Sequence, residues 1–259
     1  MSFEINAFLA KSFPFEDITM IYPPTIGDIA KEPKALIFGK ILTKSQEDIW
    51  DAINDSEEKE SSDPFYRWKL PKDAPTPLQF LIGSAANPDL RETIQEGIQF
   101  FTHEEVLLLP QGYILFTQDA DSVEKIEDLR MLTEDNFFEF QNAIRASMGE
   151  KTLNEPNPDE PPKIAEMKAK ARRRDRLKKK NAEKEKGGMT FKSTLSALCC
   201  MGIGITPLNI EGLSYASVGS LIDTYTNKEK YEQNMRFIAG GADPKKMTIK
   251  YWMNEEETN

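Results

Sequence analysis

The sequence predicts a mainly α-helical protein with a small α+β N-terminal domain, a basic helical connector and a compact helical C-terminal domain. Three observations carry this reading. Most apolar segments repeat at three- and four-residue intervals, the signature of a helix with one buried face. A single pair of apolar runs around a glycine-containing turn gives the clearest strands. A proline-rich stretch followed by a strongly basic one divides the chain, which places the domains at residues 1–153 and 189–259 with the boundary and connector at 154–188.

Taken in order, Thr19, Met20, Ile21 and Tyr22 form a short strand stopped by Pro23-Pro24, and Thr25 caps a helix through Ile26, Ile29 and Ala30. The run from Lys34 to Leu42 fits a buried helix or a strand, and periodicity does not decide between them. Ser45 with Glu47 and Asp48 opens a helix through Ile49, Trp50 and Ile53. Residues 54–75 read as an acidic exposed loop whose aromatic trio, Phe65, Tyr66 and Trp68, covers a core edge. Pro77 and Asn87-Pro88 start two helices, the second carrying Leu90, Ile94, Ile98 and Phe101 at helical spacing. Val106–Leu109 and Tyr113–Thr117 flank Pro110-Gln111-Gly112 as a hairpin, and Thr133 starts a helix that ends at Gly149. Beyond the connector, Thr190 caps a helix with Leu195, Leu198 and Met201. Ser214 caps a long one carrying Val218, Leu221, Ile222, Tyr225, Tyr231, Met235 and Ile238, which stops at Gly240-Gly241.

Charge follows the same partition. Residues 1–160 hold 14 Lys and Arg against 31 Asp and Glu, residues 161–186 hold 12 against 4, and residues 187–259 hold 7 against 8. An acidic body, a basic connector and a near-neutral C-terminal part attract one another or partners of opposite sign, over about 8 Å at physiological salt. Hydrophobic residues make up 39% of the chain, below the globular norm of about 45–50%, so part of it is expected to stay outside a core. No run approaches the roughly 20 apolar residues of a membrane span, and the N-terminus lacks a signal-peptide pattern, so the expectation is a soluble, unexported protein with no membrane span. Cys199 and Cys200 are adjacent, which matches neither a disulfide nor a CxxC site and points to a reducing compartment.

Catalytic and metal readings find little support. His103 is the only histidine, and Glu104 and Glu105 beside it offer carboxylates without a nucleophile, so a structural or solvent-exposed role is expected. Asp119, Asp121, Glu124, Glu127 and Asp128 lack the ligand spacing and central glycine of a calcium loop and read as a solvated acidic face. Gly202, Gly204 and Gly212 do not form a phosphate loop and serve as helix stops and turns. Neither a catalytic residue nor a metal or cofactor is expected. The strongest electrostatic feature is the run Arg172, Arg173, Arg174, Arg176, Lys178, Lys179 and Lys180. It has the charge to hold phosphates but no aromatics to stack bases, so an acidic protein surface, including this chain's own body, is the preferred partner over nucleic acid.

The C-terminal part carries Gly202-Ile203-Gly204-Ile205, Leu208-Asn209-Ile210 and Leu213-Ser214-Tyr215, then Asp223, Tyr225, Lys230-Tyr231-Glu232 and Asn234. The segment Ala239 to Lys246 and Trp252 follow. In this it resembles tail assembly chaperones and related tail proteins of tailed phages of Gram-positive bacteria. The order of residues 19–31, an Asn-Pro before the basic helix and Gly187-Gly188 after it agrees with the resemblance, which is strong over 154–252 and weak over 32–150. The doubled Gly240-Gly241 and the aromatic 65–68 loop depart from that pattern. The resemblance implies a non-enzymatic protein of the host cytoplasm. Such a chaperone coats the tape measure protein and keeps it soluble until tail tube protein polymerises around it. Tyr225, Tyr231, Phe237 and Trp252 are then the candidate contacts, against the plainer reading that apolar residues at helical spacing pack in a local core. Two other readings stay open: a tail or baseplate subunit retained in the virion, its basic helix bridging acidic neighbours, and a nucleic-acid-binding regulator acting through residues 170–186. The oligomeric state also stays open.

Overall fold

The computed structural model describes residues 3–50, 74–117, 129–154, 161, 163–164, 167–168, 170–171, 174, 190–244, 247 and 251. The chain is mostly helical, with two small antiparallel sheets in its N-terminal part. It begins with a short helix, α1 (Phe3–Phe8), and a hairpin of β1 (Phe13–Phe15) and β2 (Thr19–Ile21) in which Phe13 faces Ile21 across the ladder. Phe13, Phe15 and Ile21 point into the core while Pro14 and Met20 point out, the alternation a two-residue strand period imposes. Thr25 then caps α2 (Ile26–Lys31) as expected. Its hydroxyl accepts from the Asp28 amide at 3.2 Å, and Asp28 accepts from the Thr25 amide at 2.9 Å.

The ambiguous run is helical: α3 (Ala35–Leu42) buries Ala35, Phe38, Gly39 and Leu42. A fourth helix, α4, is described from residue 46 to 50, and Ser45 and Asp48 form its reciprocal cap. Helices α5 (Pro77–Ser84) and α6 (Pro88–Thr102) start where Thr76 and Asn87 cap them, each with proline at its first position. Strands β3 (Val106–Leu109) and β4 (Tyr113–Phe116) pair in the expected register, with Leu109 opposite Tyr113 across a three-residue loop. Gly112 sits at φ +96°, the left-handed position such a loop needs. A two-residue strand, β5 (Met131–Leu132), adds to β4, and α7 (Glu134–Ser147) follows and ends at Gly149 with φ +69°.

One apolar core joins these elements, built from Phe13, Phe15 and Ile21, the inner faces of α3, α5, α6 and α7, and the inward residues of β3, β4 and β5. Gly97 lets α6 cross α3 closely, since a Cβ there would lie 3.2 Å from that of Phe38. Polar side chains of α7 complete the assembly. Gln141, only 1% exposed, donates to the carbonyls of Leu42 and Lys44 at 2.8 and 3.0 Å, and Arg145 donates to that of Thr43 at 3.0 Å. Carbonyls at the end of α3, which lack partners within their own helix, are thereby satisfied by α7. Asn142 binds Leu153 through both backbone groups, fixing the start of the boundary segment.

Glu104 and Arg130 bind three segments electrostatically. Their side chains are 10% and 27% exposed and meet at 2.8 Å. Arg130 also donates to the Ile18 carbonyl at 3.0 Å, and the Thr19 hydroxyl donates to Glu104 at 2.7 Å. The hairpin of β1 and β2, the end of α6 and the start of β5 are joined at one point. Replacing Glu104 by Gln removes the charge from the carboxylate that meets both Arg130 and Thr19, and urea denaturation should show a loss of about 2–3 kcal/mol.

The C-terminal part comprises α8 (Phe191–Cys200), capped by Thr190 as expected, a 3₁₀ turn at Ile210–Gly212, and the long α9 (Tyr215–Ala239). It packs back onto the N-terminal body. Thr25 and Ser214 form an antiparallel bridge: the Ile26 amide donates to the Leu213 carbonyl at 2.8 Å and the Tyr215 amide to that of Pro24 at 2.9 Å. Ser214 does not cap α9 through its side chain, contrary to the sequence reading, because its hydroxyl donates instead to the Ala7 carbonyl of α1. Ile26 joins Leu198, Ile210 and Val218 in a second, smaller cluster. At Gly149 a Cβ would fall 2.8 Å from the Ala216 carbonyl oxygen, so no side chain fits between α7 and α9. Gly149→Ala should cost about 3 kcal/mol in thermal or chemical denaturation through backbone strain plus overlap, whereas Gly112→Ala, with open space around it, should cost about 1 kcal/mol.

Candidate partner-binding face

The seven apolar positions that the sequence places on α9 at three- and four-residue spacing do not make one stripe. Tyr225 and Tyr231 are six residues apart, so at about 100° per residue they lie about 120° apart around the axis. The proximal half therefore turns one face inward. Ser217 and Val218 are buried there, and Leu221, Ile222 and Tyr215 pack on the small cluster. The distal half presents Tyr231, Met235 and Ile238 in a different direction. Met235 and Phe237 are 43% and 52% exposed, so they do not form the local core that their spacing suggested.

Burial at the proximal end raises the Tyr215 phenol above its ordinary value of 10.0, and the nearby Glu150 carboxylate adds to the shift. Both effects penalise the ionised form. Farther along, Glu229 raises the Tyr225 phenol mainly by charge repulsion, with lesser help from desolvation and a hydrogen bond, so this side chain too stays neutral. Glu232 pairs with Lys228 at 3.8 Å and Arg236 at 3.5 Å, each one turn away. Exposed pairs of this kind add only about 0.3–0.5 kcal/mol each. A distal helix without tertiary support needs more, because isolated helices of this length are marginal in water.

Part of that support comes from its end. The Gly241 amide donates to the Ile238 carbonyl at 2.9 Å and the Ala242 amide to that of Phe237 at 3.0 Å, with Gly241 at φ +96°. This is a Schellman motif, and it turns the chain back at Gly241. Tyr251 then meets Tyr231 edge to face, with ring centroids 5.6 Å apart and planes at 88°. The doubled glycine, a departure from the pattern the sequence resembles, thus has a defined conformational role. Trp252, the fourth candidate contact, lies outside the described residues.

A second apolar display stands on the loop before the 3₁₀ turn. Gly202 and Gly204 adopt φ +69° and +83°, the turn role expected for them. Asn209 locks the loop by donating to the Gly204 carbonyl at 2.9 Å and accepting from the Thr206 amide at 2.8 Å. At its tip Leu208 is 97% exposed, a residue the sequence reading quoted in a motif but did not offer as a contact.

Of the basic run, Arg174 is described: it is helical and exposed, as are Lys163, Lys168 and Lys170 before it. Arg172, Arg173, Arg176, Lys178, Lys179 and Lys180 lie outside the described residues, as do the aromatic trio at 65–68 and the acidic group from Asp119 to Asp128. His103 and Glu104 part company. The imidazole ends α6 at φ 59° and stacks on Tyr22 with centroids 4.0 Å apart, while the carboxylate turns to Arg130. Among the described residues no group of three or more His, Cys, Asp or Glu could hold a metal ion, and no helix is long and apolar enough to cross a membrane.

No protein-family model, curated protein or solved structure matches the chain.

The raised Tyr215 phenol gives the α9 junction a pH dependence of known sign. A phenol whose folded pKa lies above its unfolded one stabilises the fold fully below the ordinary value of 10.0 and ceases to do so as pH rises through the folded pKa. Stability measured by chemical denaturation should therefore fall above pH 10, and Tyr215→Phe should flatten that part of the profile.

Proposed function

We propose that this protein is a non-enzymatic assembly chaperone of phage tails, which binds the tape measure protein and keeps it soluble until the tail tube forms around it. The observation that carries the reading is the distal half of α9, which exposes Met235 on the face of Tyr231 and Phe237 on a separate face, on a helix whose other end is anchored in the body. An apolar stripe on a projecting helix fits a helix-to-helix mode of recognition, in which apolar side chains at three- and four-residue spacing interdigitate. Methionine and aromatics suit a partner whose sequence varies along its length, because the thioether adapts its shape and the rings supply area with few rotamers to freeze. The acidic body keeps such complexes apart from one another by charge repulsion. The resemblance of residues 154–252 to tail assembly chaperones points the same way.

Co-expression of the full chain with the tape measure protein of the same phage is the direct test. A soluble complex should form, and Met235→Asp, on the Tyr231 face, should weaken its capture at least about tenfold while leaving the folding midpoint unchanged, because the side chain is exposed. Mass spectrometry separates this function from that of a structural subunit. Peptides of this chain should be found in the infected-cell lysate and not in mature particles. Stoichiometric presence in the particle would replace the chaperone by a tail or baseplate subunit.

A further inference from the structure

The distal face of α9 already has an occupant. We infer that the chain's own segment after Gly241, acting through Tyr251, holds the Tyr231 side of this face in the free protein and must be displaced when an apolar partner helix docks there.

Three features carry the inference. The Schellman turn at Gly241 reverses the chain with two backbone hydrogen bonds, so the return is built into the helix end. Tyr251, ten residues after that glycine, reaches Tyr231, ten residues before it, in the edge-to-face geometry that aromatic pairs prefer. Met247, half-buried, marks an intermediate position on the same return and donates its amide to the Pro244 carbonyl at 3.2 Å. The face so occupied is the one on which Tyr231, Met235 and Ile238 succeed one another at four- and three-residue spacing, the pattern an incoming helix would read. Tyr251 and such a helix need the same surface of the Tyr231 ring.

The device has two consequences. In the free protein Tyr251 gives the distal helix tertiary contact and removes apolar surface from water, which protects a projecting helix from self-association. During binding it costs affinity, since the partner has to replace an existing contact instead of covering bare surface. Competition of this kind sets a threshold. Weak apolar segments fail to displace Tyr251, and those with well-spaced anchors succeed.

The identity of the partner rests on the function proposed above, but the intramolecular contact does not, and the two are tested separately. Hydrogen exchange of the full chain should show residues 228–239 exchanging about two- to tenfold faster in Tyr251→Ala than in the wild type, with α6 and α7 unchanged. Tyr251→Phe, which keeps the ring, should exchange more slowly than Tyr251→Ala, and Gly241→Ala, which strains the turn, should behave like Tyr251→Ala. Unchanged exchange in both Tyr251→Ala and Gly241→Ala would overturn the contact. In the same variants, affinity for the purified tape measure protein should rise by about two- to tenfold in Tyr251→Ala. Accelerated exchange with unaltered affinity would refute competition, whereas failure of every form to bind that protein would refute the chaperone reading and leave the contact standing.

Discussion

The arrangement of the C-terminal part depends on a very short piece of backbone, the bridge between Pro24–Ile26 and Leu213–Tyr215. Two hydrogen bonds fix it, and its position is unusual: on one side it begins α2, on the other it begins α9. Proline at 24 offers a carbonyl but no amide, so the pairing does not lengthen into a sheet through that residue. The contacts around it are steric and polar in equal measure. Ser214 reaches α1, Ile26 reaches the small C-terminal cluster, and Gly149 and Gly27 bring α7 and α2 within van der Waals distance of Ala216 and Glu211. A helix fixed so firmly at its first turn can carry its distal half into solvent, because the orientation is set before the exposed residues begin.

Behind the bridge, the body has to be rigid enough to serve as a base. Rigidity here comes from buried polar groups as much as from apolar packing. Gln141 and Arg145 satisfy carbonyls at the end of α3, and Glu104 and Arg130 join the first hairpin to the second sheet. Groups of this kind tolerate few alternatives, since moving any one strands a donor or an acceptor away from water. The apolar core excludes water, and the polar contacts select one way of assembling it.

Much of this was legible in the sequence, and the misses have physical reasons. Caps at Thr25, Ser45, Asn87, Thr133 and Thr190 and the proline at 77 are local signals, written within four residues, and each starts a helix where expected. The hairpin at Val106–Phe116 is equally local. The short α1, β1 and β5 escaped because they hold six, three and two residues and owe their form to what they pack on. Ser214 was misread for a similar reason: its residue type suits a cap, but a carbonyl 207 positions away in sequence claims the hydroxyl. At the candidate site, the residue types were readable and their direction was not. Spacing named Tyr225, Tyr231 and Met235, yet only counting around the axis separates the face that packs on the body from the face that remains outside. Tyr251 required a chain reversal that the doubled glycine announces without specifying its destination.

The angular offset between Tyr225 and Tyr231 also bears on how such a protein can diversify. Residues facing the body and residues facing outward occupy the same helix but share few neighbours, so their substitutions combine almost additively. The outward set can then be exchanged without disturbing the inward set, which packing on the body constrains. One helix thus carries a register that folding constrains and another that it does not, and a change in the second leaves the first undisturbed.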